Sequence, residues 1–116
     1  MKTILRLEYL MLFFAGLWMF SETEFTWWWF PALFFVPDIS MLGYLFGTKT
    51  GAVCYNAFHH FGIAIFCYIV GNYIGSDILS LAGLILFSHT AFDRVLGYGL
   101  KYPDDFKNTH LGRIGK

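Results

Sequence analysis

Charged residues and cysteines are scarce in this sequence of 116 residues, and their scarcity excludes several classes of protein. Eight basic side chains, balanced by eight acidic ones, are too few for a nucleic-acid-binding surface. The two cysteines, Cys54 and Cys67, lie in one apolar segment, too far apart to bridge each other. No CxxC pair or Cys/His cluster of the zinc type is present. We therefore expect neither a disulfide scaffold nor a cysteine-based zinc site.

Apolar residues make up 57% of the chain and are concentrated in four long runs. Each run is near the roughly 20 residues that a membrane-spanning helix requires. The runs cover about residues 4–20, 25–46, 51–70 and 78–97, and a tail follows at 98–116. The sequence therefore predicts an all-α fold, a four-helix transmembrane bundle that forms a single domain over residues 1–116.

Positive charges lie on one side of the predicted membrane, and Lys and Arg resist translocation. They flank the start of the first helix, the turn between the second and third helices, and the end of the fourth helix: Lys2, Arg6, Lys49, Arg94, Lys101, Lys107, Arg113 and Lys116. The two opposite loops carry Glu22, Glu24 and Asp77 and no basic residue. An even number of spans with this distribution predicts a multi-pass protein of the cell (inner) membrane with both termini in the cytoplasm.

Proline interrupts the second predicted helix. Pro37 removes a hydrogen bond in the middle of the span, so we expect the helix to break there. Asp38 follows directly, and at ~1.5 Å per residue it lies about 20 Å from the outer face of a ~30 Å hydrocarbon core. Irregular backbone at this depth is tolerated only where it is buried in protein or lines a wet cavity. Alternatively, Asp38 only caps the half-helix that follows it.

Ionisable side chains of the other three helices lie at a similar depth. Measured from the cytoplasmic side, the helical rise places His59 at about 12 Å, His89 at about 13 Å, and both Asp93 and Glu8 at about 7 Å. Placing one ionisable group in hydrocarbon costs roughly 2.5–3.5 kcal/mol. Because a whole cluster is costly, we predict a polar pocket open to the cytoplasm, with these four residues and Asp38 as its catalytic groups.

Spacing within the helices suggests two kinds of chemistry for this pocket. His89 and Asp93 are four residues apart and share a helix face, as Asn56 does with either His59 or His60. Imidazole with carboxylate is the usual ligand mixture for Zn, Fe or Mn, so the predicted metal ligands are His59, His89 and Asp93. The same groups could equally form an acid–base pair or a proton relay.

Purely structural roles are the alternative for several of these residues. An intramembrane histidine such as His59 or His89 often only hydrogen-bonds a neighbouring helix. Glu8 could form an interfacial ion pair with Arg6, whose side chain reaches the head groups.

The tail mixes aromatic, basic and acidic residues after a hinge that contains Gly97 and Gly99. We expect it to fold back as a lid that completes the pocket from the cytoplasmic side. The predicted substrate-binding residues are then Asn56, Tyr98, Lys101, Tyr102 and His110. Alternatively, the basic residues of the tail contact anionic head groups.

Several stretches carry a likeness to a known family: RLE at 6–8, PDISMLGY at 37–44, YNAFH at 55–59, His89 with DRVLGYGLKY at 93–102, and FKNTHLG at 106–112. They resemble the small bacterial membrane proteins grouped as domain of unknown function 4260, over nearly the whole chain. The family has no activity attached to it. The resemblance supports the membrane topology and favours His59 over His60 as the histidine of the pocket.

Three functional hypotheses follow. The first is a membrane enzyme, metal-dependent or acid–base-dependent, that acts on a lipophilic small molecule by activated water or proton transfer. A covalent mechanism is disfavoured because Ser40 and Ser88 do not lie in a nucleophile elbow. The second is a small transporter or proton-conducting protein, which with four helices per chain would be a homo-oligomer. The third is a non-catalytic membrane assembly subunit. The lipid bilayer is the expected partner in each case.

Overall fold

The computed structural model describes residues 2–97, 99–101, 108–109 and 111–113, which are mostly helical. The helices are α1 (Lys2–Ser21), α2 (Trp29–Phe34), a 3₁₀ helix (Val36–Phe46), α3 (Thr48–Phe58), α4 (Phe61–Ile74) and α5 (Asp77–Val95). In the tail, the two-residue strands β1 (Asn108–Thr109) and β2 (Gly112–Arg113) pair antiparallel. These short strands are an addition to the predicted all-helical fold.

Three stretches are long and apolar enough to cross a membrane, namely Thr3–Ser21, Trp29–Phe46 and Asp77–Val95. Helices α3 and α4 pass the same test together, although they meet at an angle of 46°. The described residues therefore contain three candidate spans, or four if the bent pair is one span. This agrees with a membrane protein.

One face of α1 is both apolar and exposed. Large apolar side chains recur on it every three or four residues and are exposed: Ile4, Leu7, Met11, Phe14 and Trp18. This spacing places them along one side of the helix. A continuous apolar face of this kind is unfavourable in water and favourable against lipid chains.

Helix α5 is at the centre of the molecule and packs mainly against α4 and α1, with α2 beside it. The apolar core around it consists of Phe20, Phe30, Phe34, Leu81, Leu84 and Ile85. Glycines allow the helices to approach closely. A Cβ added at Gly83 would lie 2.4 Å from the backbone nitrogen of Tyr68, and one at Gly16 would lie 2.1 Å from Ser88 Oγ.

The second predicted span, 25–46, starts later than expected and changes helix type. Helix α2 begins at Trp29 and ends at Phe34, and the 3₁₀ helix begins at Val36 with Pro37 in its first turn. Proline cannot donate the backbone hydrogen bond that would continue the α-helix, whereas the first turn of a new helix tolerates it. The chain therefore continues past Pro37 as a tighter helix of 11 residues.

The third predicted helix, 51–70, is divided, and the prediction of a continuous helix there is wrong. Helix α3 ends because the His59 ring takes the backbone acceptor that its own N–H would use. His59 Nδ1 donates to the Tyr55 carbonyl oxygen at 2.9 Å, and the His59 N–H turns to the Asn56 carbonyl at 3.2 Å. His60 then caps α4, since its Nδ1 accepts a hydrogen bond from the Ile63 N–H at 3.2 Å.

Candidate metal centre

Four ionisable side chains from three parts of the fold converge at one point. Asp38 comes from the 3₁₀ helix, His59 from the break between α3 and α4, and His89 and Asp93 from adjacent turns of α5. One ligand atom of each lies within 4.8 Å of the ligand atoms of the other three. We refer to these residues as the His/Asp cluster. Their convergence agrees with the similar depths calculated from the sequence.

Nitrogen and oxygen atoms alternate around the His/Asp cluster. His59 Nε2 lies 3.3 Å from Asp38 Oδ1 and 3.2 Å from Asp93 Oδ2. His89 Nε2 lies 3.1 Å and 3.4 Å from the same two oxygens. The ligand atoms lie within 4.8 Å of one another, so an ion at the centre would be about 2.4 Å from the most distant pair, slightly more than the ~2.0–2.2 Å of zinc–nitrogen and zinc–oxygen bonds. The ring is therefore close to the size of a first-row metal site.

The members of the cluster differ in exposure. The side chains of His59 and His89 are 3% and 1% exposed, and that of Asp93 is 12% exposed. Asp38 is 39% exposed. Three of the groups are thus enclosed by protein, and the cluster opens to its surroundings on the side of Asp38.

The tautomer of His59 follows from its hydrogen bond to Tyr55. A carbonyl oxygen can only accept, so Nδ1 carries the proton, and Nε2 of neutral His59 presents a lone pair. That lone pair faces carboxylate oxygens of Asp38 and Asp93, which are also acceptors. Three acceptors at these distances require a proton or a metal ion between them, and the proton could be on Nε2 or on one of the carboxyl groups. A backbone bond at the other ring nitrogen is typical of metal-bound histidines.

Aromatic rings hold the two imidazoles in place. The His59 ring stacks on Tyr55, with ring centroids 3.8 Å apart and planes 5° apart. The rings of Phe34 and Phe35 lie 5.1 Å and 6.1 Å from that of His89. This packing restricts both imidazoles to the orientations that direct Nε2 into the cluster.

Tyr55 and Arg94 support the cluster from outside it. The Tyr55 hydroxyl donates to Asp93 Oδ2 at 3.2 Å. Arg94 Nη2 donates to the His59 carbonyl oxygen at 3.3 Å, which satisfies an acceptor that the break in the helix leaves open. The Arg94 guanidinium also lies 5.7 Å and 5.0 Å from the centres of the Tyr9 and Phe61 rings. The role of Tyr55 was not predicted from the sequence, although its position one turn before His59 on the same helix face was a signal for it.

The beginning of the tail docks against α3 through Lys101. Asn56 Nδ2 donates to the Lys101 carbonyl oxygen at 2.8 Å, and the Lys101 N–H donates to Asn56 Oδ1 at 2.6 Å. The buried Lys101 ammonium lies 4.6 Å from the centre of the Tyr55 ring. Burial lowers the pKa of Lys101 to about 8. Lys101 also pairs with Thr109 as an antiparallel bridge, so a second part of the tail lies beside it.

The remaining predicted site residues lie elsewhere or are otherwise engaged. Glu8 is exposed on α1 and does not belong to the His/Asp cluster. Asn56 binds the backbone of Lys101, and its predicted substrate contact stays a prediction. Tyr98, Tyr102 and His110 lie outside the described residues. The ambiguity between the adjacent histidines is removed, because His59 joins the cluster whereas His60 caps α4 and is exposed.

Comparison with known proteins identifies the chain by family. No curated protein and no solved structure matches it significantly. A family model described as "Domain of unknown function (DUF4260)" matches residues 2–114, which is nearly the whole chain and includes every member of the His/Asp cluster. The chain therefore belongs to the DUF4260 family.

Proposed function

We propose that this protein is a membrane-embedded metalloenzyme that binds one divalent transition-metal ion at the His/Asp cluster and acts on a lipophilic substrate. One observation carries the proposal. His59 Nε2 lies 3.3 Å from Asp38 Oδ1 and 3.2 Å from Asp93 Oδ2, and a metal ion shared by these three atoms would account for their convergence.

Charge balance supports a dication. Two carboxylates and two neutral imidazoles carry a net charge of −2, and a buried charge of that size is unfavourable without compensation. The Arg94 guanidinium is directed at the His59 carbonyl oxygen, and the buried Lys101 ammonium, on which the charges of Asp93 and Asp38 act, offsets at most one of the two negative charges. A divalent ion at the cluster would neutralise both carboxylates where they lie.

The identity of the ion distinguishes a catalytic site from a structural one. A structural Zn²⁺ ion normally has all four coordination positions occupied by protein ligands, whereas a catalytic zinc has one position occupied by water. Fe²⁺ and Mn²⁺ accept five or six ligands, so either ion could bind water in addition to the four protein ligands of the cluster. An enzyme of this type would use the ion to generate hydroxide from bound water or to polarise a substrate oxygen. Hydrolysis, hydration and isomerisation are the reactions that fit.

The proposed enzyme crosses the inner membrane four times, with both termini in the cytoplasm. Two features support this arrangement: basic residues flank only the predicted inner ends of the spans, and α3 with α4 meets the length and hydropathy of one bent span. In this arrangement α3, the 3₁₀ helix and Lys101 lie toward the cytoplasm, and the cluster lies in the inner half of the bilayer.

The metal content of purified protein tests the proposal. Substitution of His59 is compared with substitution of the adjacent His60 as the control. The protein is purified without chelators or metal-affinity resin, then offered Fe²⁺, Mn²⁺ or Zn²⁺ and measured by elemental mass spectrometry. We expect about one ion per chain in the wild type and in His60→Ala, and loss of most of it in His59→Ala, because a missing ligand leaves an incomplete site. Circular dichroism and gel filtration establish that each variant is folded.

Three outcomes would contradict the proposal. Folded wild-type protein that binds none of the three ions would leave hydrogen bonds between His59 and the two aspartates in place of a metal, and hence a proton relay or a structural network. Equal loss of metal from His59→Ala and His60→Ala would place the ion elsewhere. A metal-loaded protein that retains only Zn²⁺ and exchanges no bound water would support a structural centre and not an enzyme.

A further inference from the structure

The Lys101 ammonium lies close to the His/Asp cluster, although Lys101 belongs to the tail. It is 4.6 Å from the centre of the Tyr55 ring, and that ring centre is 3.8 Å from the centre of the His59 imidazole. The ammonium is therefore at most about 8.4 Å from the imidazole, the total of these two distances. Lys101 is only 4% exposed, and the charges of Asp93 and Asp38 both favour its charged form.

The backbone of Lys101 is held on α3 by a single side chain. Asn56 donates to the Lys101 carbonyl oxygen at 2.8 Å and accepts from the Lys101 N–H at 2.6 Å. Because both partners can bond to water instead, such hydrogen bonds contribute modestly to stability. The start of the tail is thus docked at a defined position, through an anchor that a change of charge nearby could overcome.

A divalent ion at the cluster would change the balance of charge around Lys101. Asp38 and Asp93 carry two negative charges, which the ion alone would neutralise. The Lys101 ammonium would then be a buried positive charge without compensation, which is unfavourable. Burial already disfavours this ammonium, since it lowers the pKa of Lys101 to about 8. Two cations therefore compete for the same pair of carboxylates.

We propose that the tail is a metal-responsive switch, in which a divalent ion at the His/Asp cluster and the docked Lys101 ammonium disfavour each other. Metal binding releases Lys101 from α3, and docking of Lys101 weakens metal binding by the same factor, because coupling between two sites is reciprocal. This inference rests on the proposed metal centre and describes its regulation. In the predicted topology the tail is cytoplasmic, so metal binding inside the bilayer would alter a surface in the cytoplasm.

The affinity for Zn²⁺ tests how docking affects metal binding. Zn²⁺ is the probe because it binds most nitrogen and oxygen sites more tightly than Fe²⁺ or Mn²⁺, and competition with a chelator measures its affinity. Lys101→Met removes the charge and keeps an unbranched apolar side chain beside Tyr55. We expect it to bind Zn²⁺ at least about fivefold more tightly than wild type, the lower end of the usual coupling between sites. Asn56→Ala, which removes the anchor, should change the affinity in the same direction.

The control for these variants is Lys49→Met, which removes an exposed cation from the same helix. Its affinity for Zn²⁺ should match that of the wild type, because salt screens exposed charges.

Acetylation of lysine by sulfosuccinimidyl acetate tests how metal affects docking. The reagent modifies accessible amines, and mass spectrometry gives a rate for each lysine. The exposed Lys49 provides the internal reference. On addition of Zn²⁺ to the wild type, we expect the rate at Lys101 relative to Lys49 to rise at least about fivefold, as reciprocity requires. In His59→Ala, which lacks one metal ligand, Zn²⁺ should not change this ratio.

The possible results separate the switch from the metal centre. If the tail only supported the fold, Lys101→Met and Asn56→Ala would bind Zn²⁺ no more tightly than wild type, and the inference would be overturned while the centre stands. Zn²⁺ binding that leaves Lys101 unreactive would also overturn it, because Lys101 would then have lost its proton without leaving α3. If Lys101→Met does not fold, Asn56→Ala provides the comparison. Failure of the wild type to bind Zn²⁺, Fe²⁺ or Mn²⁺ would instead refute the centre, and the inference with it.

Discussion

At the scale of single residues, two adjacent histidines take different roles because the helix ends between them. The His59 ring is stacked on Tyr55 and bonded to its carbonyl, whereas the His60 ring caps the next helix. A regular helix would have pointed the two rings about 100° apart and left neither a backbone partner. The same residue type therefore serves a buried centre at one position and a helix end at the next.

Removal of the Tyr55 hydroxyl tests whether groups around the cluster affect its affinity for metal. Tyr55→Phe keeps the ring that stacks on His59 but deletes the donor to Asp93 Oδ2. We expect metal affinity to fall roughly 10–100-fold, the usual effect of losing an outer-shell partner. Stability should change by only about 1 kcal/mol. Competition with a chelator of known affinity measures the first quantity and SDS titration the second.

The control for this substitution is Tyr73→Phe, because the Tyr73 side chain is 90% exposed on α4. It should match the wild type in both measurements. If Tyr55→Phe also bound metal as tightly as the wild type, the hydroxyl would have no influence on Asp93.

Depth along a helix could be predicted from the sequence, but direction around it could not. The rise per residue placed His59, His89 and Asp93 near one level, and they do converge. Glu8 has the same calculated depth as Asp93, yet it lies on the exposed face of α1. Rotation of a helix is set by packing against its neighbours, and in a membrane the apolar pattern constrains it weakly because lipid and core are both apolar.

At the scale of elements, the break between α3 and α4 was not predictable from the usual signals. No proline or glycine lies between Phe58 and Phe61. The break arises because a histidine side chain competes for a backbone acceptor, a behaviour normally associated with Ser, Thr, Asn and Asp. Pro37, by contrast, was a visible signal, and the helix type does change beside it.

Metal binding should rigidify two particular elements. The 3₁₀ helix packs on α3, while α1, α2 and α4 pack on α5. Asp38 and His59 belong to the first group and His89 and Asp93 to the second, so an ion would join the two groups. We expect slower amide hydrogen exchange in the 3₁₀ helix and α3 when metal is added, measured by mass spectrometry.

Helix α4 provides the internal control for this experiment, since it contributes no member of the cluster and its exchange should not change. The His89→Ala variant should show no metal effect in any element. Uniform protection of all helices, or none, would mean that the ion does not bridge the two groups.

At the scale of the whole molecule, the placement of charge predicts how the chain lies in the membrane. Alkaline phosphatase, which is active only outside the cytoplasm, should be active when fused after Glu24 or Ser76. Green fluorescent protein, which fluoresces only inside, should do so when fused after Gly47 or Lys116. The reason is that Lys and Arg flank the inner ends of the spans. Phosphatase activity of the fusion at Gly47 would show that the predicted arrangement is inverted. Inactivity of the fusions at both Glu24 and Ser76 would show that the chain has fewer than four spans.

The order of the cluster along the chain has a consequence for biosynthesis. A nascent chain enters the bilayer from its N-terminal side, so Asp38 and His59 arrive before α5 has been made. Until then, two ionisable groups lie in the membrane without the residues that surround them in the finished protein, at a cost of several kcal/mol. The partly synthesised chain is therefore less stable in the membrane than the complete protein. Insertion of α5 brings in His89 and Asp93, so an ion that needs all four residues of the cluster can bind only after the last helix is in place.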